Sequence, residues 1–404
     1  IEGTPPDRRG YNFDGCAPEA LITRASAKDG RIVFPDGMSY RLLVLPRFDT
    51  MTPRLLRKVA ALVEDGATVM GAPPRKSPSL TDYPDCDRQV RELAEALWGG
   101  DDAANRRNVG KGLVIGDEEA AQAGTELYPG YDTTARVLAE LGVPPDFACD
   151  GNLRYIHRRE GGTDLYFIAN RDGQPQTAVC RFRAAGRQPE WWDPLTGARR
   201  DLPEFSEQDG VTTLPVRLDA FGSGFVVFRK PVAGKARSGV NFPELEPILT
   251  LTAPWEVSFD PKWGGPEKAV FATLDDWRKR LEPGIQYYSG KAVYRTAFDC
   301  AADAAQTRCF LSLGKVKNMA SVKLNGTELG TVWCEPWQIE IPSGILREKD
   351  NRIEVTVANL WINRLIGDSA LLKDQRLTWT TLDAFHPDSP LQESGLLGPV
   401  TIKR

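Results

Sequence analysis

Most of the marks by which common function classes announce themselves are missing from this chain. Seven cysteines (Cys16, Cys86, Cys149, Cys180, Cys300, Cys309 and Cys334) include no C-x-x-C pair. That argues against a metal ribbon, and the odd count leaves at least one thiol free. Cys300 and Cys309 flank a turn and allow a pairing, though buried free thiols fit their setting better. No run approaches the roughly 20 apolar residues of a membrane span. There is no basic excess: the formal net charge is −4 with 26% charged residues. That argues against nucleic acid as a partner. No G-x-G-x-x-G or G-x-x-x-x-G-K-[ST] cradle is present; GKGLVIG, from Gly110, lacks the helix that such a cradle needs. The chain also has no leader-like segment and opens on Ile1, which reads as a processed or truncated piece and leaves export open.

What is present is organised around residues 295–368. Polar and apolar residues alternate over Val293–Phe298 and again over Ile353–Val357, the period of half-buried strands. Asn325-Gly326 between two such strands is a tight hairpin signal. It puts Val322 and Leu324 on one face and Ser321 and Lys323 on the other. The whole run through Asn359–Asp368 reads as strand. An antiparallel sandwich of jelly-roll type is predicted over 240–404.

Upstream, residues 1–30 read as a linker, with a helix over Ala17–Ala27 and with Asn12 and Asp14 as capping residues. Residues 31–145 read as an α/β unit. Arg41–Pro46 is a buried strand, Thr52-Pro53 opens a helix with Leu55, Leu56, Val59, Leu62 and Val63 on one stripe, and a second strand returns through ATVMG. A further helix covers Asp87–Trp98, and KGLVIG is another strand. From 146 to 235 the period changes to two, giving five or more short strands and a small β-sandwich. Trp191 and Trp192 there take opposite faces, so only one is free to reach the surface. Val232–Gly239 is a linker.

Several phrases carry a family resemblance. SGKAVYRTAFD, LSLGKV, VKLNGTELGTVW and NRIEVTVANLWINRLIGD resemble the galactose-binding-like sandwich of large glycoside hydrolases, and most of all the α-L-rhamnosidases of glycoside hydrolase family 106. EWWDPLTG resembles an accessory sandwich of such enzymes. The 31–145 order resembles their class I glutamine-amidotransferase-like, flavodoxin-like domain. An amidotransferase thiol is not expected, because neither Cys86 (YPDCDRQ) nor Cys16 (FDGCAPE) follows an apolar strand. The resemblance implies a multidomain chain, α/β plus all-β, with a flavodoxin-like domain followed by two antiparallel sandwiches. It further implies the accessory, non-catalytic portion of an enzyme that hydrolyses terminal α-L-rhamnosides. The partners would be a rhamnose-containing glycan and an upstream catalytic domain. A barrel of eight strand–helix units takes about 250 residues, against about 115 in the α/β part here, so no catalytic residue is assigned. The resemblance implies a periplasmic or extracellular setting and associates the family with calcium, but no D-x-D-x-D-G loop is present and no cofactor is expected in this segment. The rival from another class is a stand-alone carbohydrate-binding or scaffold protein.

Substrate-binding candidates come from sugar chemistry: an aromatic face under the ring's C–H groups, and polar side chains on its hydroxyls. Trp333, Trp337, Trp361, Asn363, Arg364, Asp368 and His386 offer these. Each has a plainer role open to it: the tryptophans as core, Arg364 and Asp368 as an ion pair, and Asp383, His386 and Asp388 as turn caps or a rim or cation site. His157, in a strand beside Arg158 and Arg159, reads as a half-buried strand histidine. An independent hydrolase using His157 or His386 is the remaining reading.

Overall fold

The computed structural model describes residues 10–100, 106–118, 126–232, 239–382 and 384–404. Residues 233–238 of the expected linker, and Asp383, lie outside them. The chain is mostly β, with few helices and many sheets. It divides into two compact units, one of Ile1–Ala169, Thr177–Val216 and Gly224–Ser238, the other of Asn170–Gln176, Arg217–Ser223 and Gly239–Arg404.

In the first unit a short sheet runs in the order Leu43–Val44, Thr68–Met70, Gly112–Ile115, Arg106–Val109. Its first three strands are parallel, as a crossover through a helix requires. That helix, Pro53–Glu64, starts where the sequence signals it. Thr52 Oγ1 accepts the Leu55 N–H at 3.3 Å, and Pro53 has no N–H to lose. Leu56, Val59, Leu62 and Val63 are buried and meet Val90, Leu97 and Trp98 of helix Asp85–Trp98 in one core. Leu21, Ala25 and Ile32 join this core from the segment before it. Gly112 is needed where its strand crosses the helix end, because a Cβ there would stand 2.2 Å from Val63 O and 2.3 Å from Ala67 O.

The same unit holds two antiparallel sheets. One runs Arg199–Asp201, Arg187–Trp192, Ser223–Pro231, Thr163–Asn170, Leu153–Glu160; the other Ser206–Gln208, Val211–Leu218, Gln176–Phe182, Phe147–Cys149. Burial alternates along Thr163–Asn170 and Val211–Leu218, as the period of two requires. Tyr166, Phe182 and Phe228 interlock between the sheets with ring centroids 5.0–5.9 Å apart. Trp191 and Trp192 are both half-buried. Trp191 lies against Gly224, and Trp192 carries the Arg199 guanidinium 4.2 Å over its ring.

In the second unit a six-stranded sheet runs Ala269–Phe271, Trp255–Ser258, Lys291–Phe298, Asn351–Ala358, Met319–Leu324, Thr327–Val332. A four-stranded sheet of Pro247–Thr250, Thr401–Lys403, Cys309–Ser312 and Gln338–Ile341 shares one core with it, made of residues such as Tyr294, Val322, Leu324, Val355, Leu311 and Ile402. The hairpin at Asn325-Gly326 forms as expected, with φ of 50° and 84°. Val322 and Leu324 are buried, and Ser321 is exposed.

The strand expected through Asn359–Asp368 does not form. The strand ends at Ala358, where the Asn359 side chain takes over: Oδ1 accepts the Gly290 N–H at 2.9 Å, and Nδ2 donates to Tyr288 O at 2.9 Å. A helix, Ile362–Ser369, follows. Its buried positions 363, 364, 366, 367 and 368 include the spacings of three and four that mark a helix, a period that the strand-like residues before it conceal. All seven cysteines are free thiols.

Candidate functional site

The first turn of that helix helps to line a cleft of about 340 Å³ in the second unit. The cleft is assembled around the loop 390–394. Asp276, buried, caps the turn Trp277–Lys279 through Oδ1, which accepts the Arg278 N–H at 3.1 Å; the same oxygen accepts the Ser394 N–H at 3.2 Å. The Trp277 N–H donates to Ser394 O at 3.0 Å. From the helix, Asn363 holds the same loop: Nδ2 donates to Gln392 O at 2.7 Å, and Oδ1 accepts the Gln392 N–H at 2.8 Å. Both walls are therefore fixed by buried polar groups rather than left to side-chain freedom.

Beside Asn363 and Ser394, the polar lining is Arg278, Lys317, Asn318, Gln392 and Glu393, and Leu360, Pro390 and Leu391 form its apolar part. Arg278 is held by Asp276, and its Nη2 reaches Glu393 Oε1 at 3.4 Å. Lys315 lies 2.5 Å from Glu393 Oε2. The hydrogen bond from Lys315, with the charges of Lys315, Arg278 and Lys317, holds the Glu393 carboxyl below its usual range against the opposing effect of burial. Lys317 has no ion-pair partner, and the Asn318 side chain has no hydrogen-bond partner, among the described residues. The cleft thus offers a free ammonium and a free amide beside an apolar patch, the chemistry that recognises hydroxyls and anions. Only one carboxylate lines it, and that one is held ionised, whereas glycoside hydrolysis ordinarily takes two carboxyl groups with one protonated.

Of the residues expected from sequence, Asn363 lines this cleft, and the other six do not. Trp361, 47% exposed, stands beside it in sequence at the helix start, edge-on to Trp263 at 5.0 Å. Trp333 is exposed after its strand, and Trp337 is buried in the core. Arg364 and Asp368 are buried and paired at 3.0 Å one turn apart, and Asp368 also accepts the Thr378 N–H at 2.7 Å. His386 is exposed in a turn where Ser389 Oγ accepts its backbone N–H at 2.9 Å. Arg278, Lys317, Asn318, Gln392 and Glu393 escaped the sequence reading. Four separated segments meet here, and no spacing within any one of them signals the meeting.

In the first unit, His157 lies in a different setting. Its Nδ1 is 2.9 Å from Asp146 Oδ2 and its Nε2 is 3.0 Å from Asp164 Oδ1, and its ring stacks on Tyr166 at 4.1 Å. Burial works against its charge, but the hydrogen bonds it donates to Asp146 and Asp164 prevail, and the imidazole pKa is raised. With both ring nitrogens donating to carboxylates, neither is free for proton transfer to a substrate. Among the described residues no group of three or more His, Cys, Asp or Glu is placed to hold a metal ion.

The fold defines a mostly β chain of two compact units, and comparison with known proteins supplies its class, the glycoside hydrolases. The family described as alpha-L-rhamnosidase, glycoside hydrolase family 106, matches residues 2–206, just over half of the chain, and the chain belongs to that family. A solved rhamnosidase from Novosphingobium sp. PP1Y is 33% identical and superposes with a TM-score of 0.85 over 98% of this chain and 36% of its own. A curated relative, the putative beta-glucuronidase of Formosa agariphila, is 33% identical over 248 residues, 60% of this chain and 19% of its own length. The chain therefore spans about a third of the one and a fifth of the other. A Ruminococcus gnavus beta-glucuronidase aligns over 28% of the chain with a TM-score of 0.24, too slight a likeness to carry an argument.

Proposed function

We propose that this chain is the C-terminal, non-catalytic portion of an α-L-rhamnosidase whose acid/base carboxylates belong to an upstream catalytic domain. The observation that carries the reading is the match of nearly the whole chain to only 36% of a rhamnosidase. In this reading the parallel-sheet region is the flavodoxin-like, amidotransferase-like domain over 31–145, a small sandwich occupies 146–235, and 240–404 is a galactose-binding-like jelly-roll. The full enzyme would act on terminal α-L-rhamnosides of glycans or glycosides, in the periplasm or outside the cell. The cleft between Lys317 and Gln392 would hold a sugar by its hydroxyls.

The expected result with the isolated chain is no turnover of an aryl α-L-rhamnoside, with or without calcium. Turnover that survives repurification would overturn the reading. In titrations with rhamnose, Lys317→Ala is expected to weaken binding about tenfold, the worth of one charged hydrogen bond. A flat titration of the unaltered chain would favour a scaffold role instead.

A further inference from the structure

We infer that Cys149 and Cys180 are a pre-aligned thiol pair that a small-molecule disulfide converts into a cross-strand disulfide. The two residues are direct partners in the antiparallel pairing of Phe147–Cys149 with Gln176–Phe182. Which kind of pair they form follows from the hydrogen bonds beside them. The Arg183 N–H donates to the carbonyl of Asp146 directly opposite at 3.0 Å, and the Val179 N–H points the same way, to Asp150 Oδ1 at 2.7 Å. Odd-numbered residues 179 and 183 therefore turn their N–H groups toward the partner strand. Cys180 and Cys149 form a non-hydrogen-bonded pair, whose Cα atoms stand about 4.5 Å apart with side chains on one face. A disulfide spans Cα separations of roughly 4.4–6.8 Å, so the bond needs no movement of the strands.

The surroundings set the order of events. Cys180 is fully buried, whereas Cys149 is half-buried near the strand end. The Cys149 thiol now donates to Gly151 O at 3.0 Å, a contact it must leave. The hydrogen bond from the Cys180 thiol, acting against burial, lowers the Cys149 pKa to about 6, while the same bond and burial push Cys180 up. Cys149 is thus the accessible nucleophile and Cys180 the resolving thiol. The Cys149 thiolate attacks one sulfur of the oxidant; the oxidant S–S bond breaks, and one oxidant thiol leaves with the electron pair and takes up a proton. Cys180 then loses its proton and attacks Cys149 Sγ, expelling the second oxidant thiol. Two cysteine thiols are oxidised and one external disulfide is reduced to two thiols.

The test is oxidation of the native chain with oxidised glutathione, then alkylation in denaturant and tryptic mapping. The expected product is a disulfide-linked pair of peptides, residues 137–154 with 172–181, absent from Cys149→Ser, in which Cys180 stays alkylatable. The linked chain should also melt several degrees higher than the reduced one. Persistence of both thiols, a lasting glutathione adduct on Cys149 alone, or an equal yield of the link from the denatured chain would each overturn the inference.

Discussion

Replacing His157 with alanine is expected to cost about 3–5 kcal/mol of stability and to remove a pH dependence that the unaltered chain shows, because it strips a cation from between two buried carboxylates. Asp146 and Asp164 have side chains 5% and 12% exposed, and His157 bridges them with both ring nitrogens. Arg183, 3.0 Å from Asp146, remains to compensate one of them. Among the described residues the other cation paired with Asp164 is Arg159 at 3.7 Å, and its side chain is mostly exposed. The sign of the pH effect follows from the raised pKa. The folded state binds the proton more tightly than the unfolded chain, whose imidazole titrates near about 6.5. The stabilisation is therefore complete below that value and is lost as pH rises through the folded value. Denaturant titrations from about pH 5.5 to 9 should show falling stability for the unaltered chain and a flatter profile for His157→Ala. Matching profiles would show that the proton is not held between the two aspartates.

His157 also marks where sequence reasoning stops. Its strand and its half-burial follow from the period of two, and Asp164 lies in the next strand of the same sheet. Asp146 does not: it precedes Phe147–Cys149, a strand of the other sheet, so the second carboxylate comes from a pairing that no local pattern encodes. The same division holds across the chain. Thr52-Pro53, Asn325-Gly326 and the stripe of Leu56, Val59 and Val63 act within a few residues, and each forms the element its chemistry favours. The helix Ile362–Ser369 was hidden because a β-branched strand runs straight into it, and its boundary is set by Asn359 bonding to residues 288 and 290, some 70 positions earlier. The cleft was hidden for a related reason. Asp276 and Asn363 hold the loop 390–394 from both sides, and each reads in isolation as an ordinary cap or strand residue. The thiol pair needed a register, which only the sheet supplies.

Breaking the Arg364–Asp368 pair is expected to cost as much as losing His157, and the comparison separates a structural role from a sugar-binding one. Both side chains are buried, at 8% and 3% exposure, and lie 3.0 Å apart. Asp368 Oδ2 also accepts the Thr378 N–H and hydroxyl, which ties the segment after the helix to its last turn. Arg364→Met leaves a buried carboxylate with only those neutral donors, and about 3–5 kcal/mol of lost stability follows. Asp368→Leu leaves the guanidinium unpaired and frees Thr378 as well. The double variant removes both charges and is expected to be more stable than either single one, short of the unaltered chain by the roughly 1–2 kcal/mol that the Thr378 bonds supply. Denaturant unfolding of the three variants tests this directly. Strictly additive losses would mean that the two charges do not act as a pair. A single variant of unaltered stability that nevertheless lost rhamnose binding would move Arg364 or Asp368 from the fold into the site.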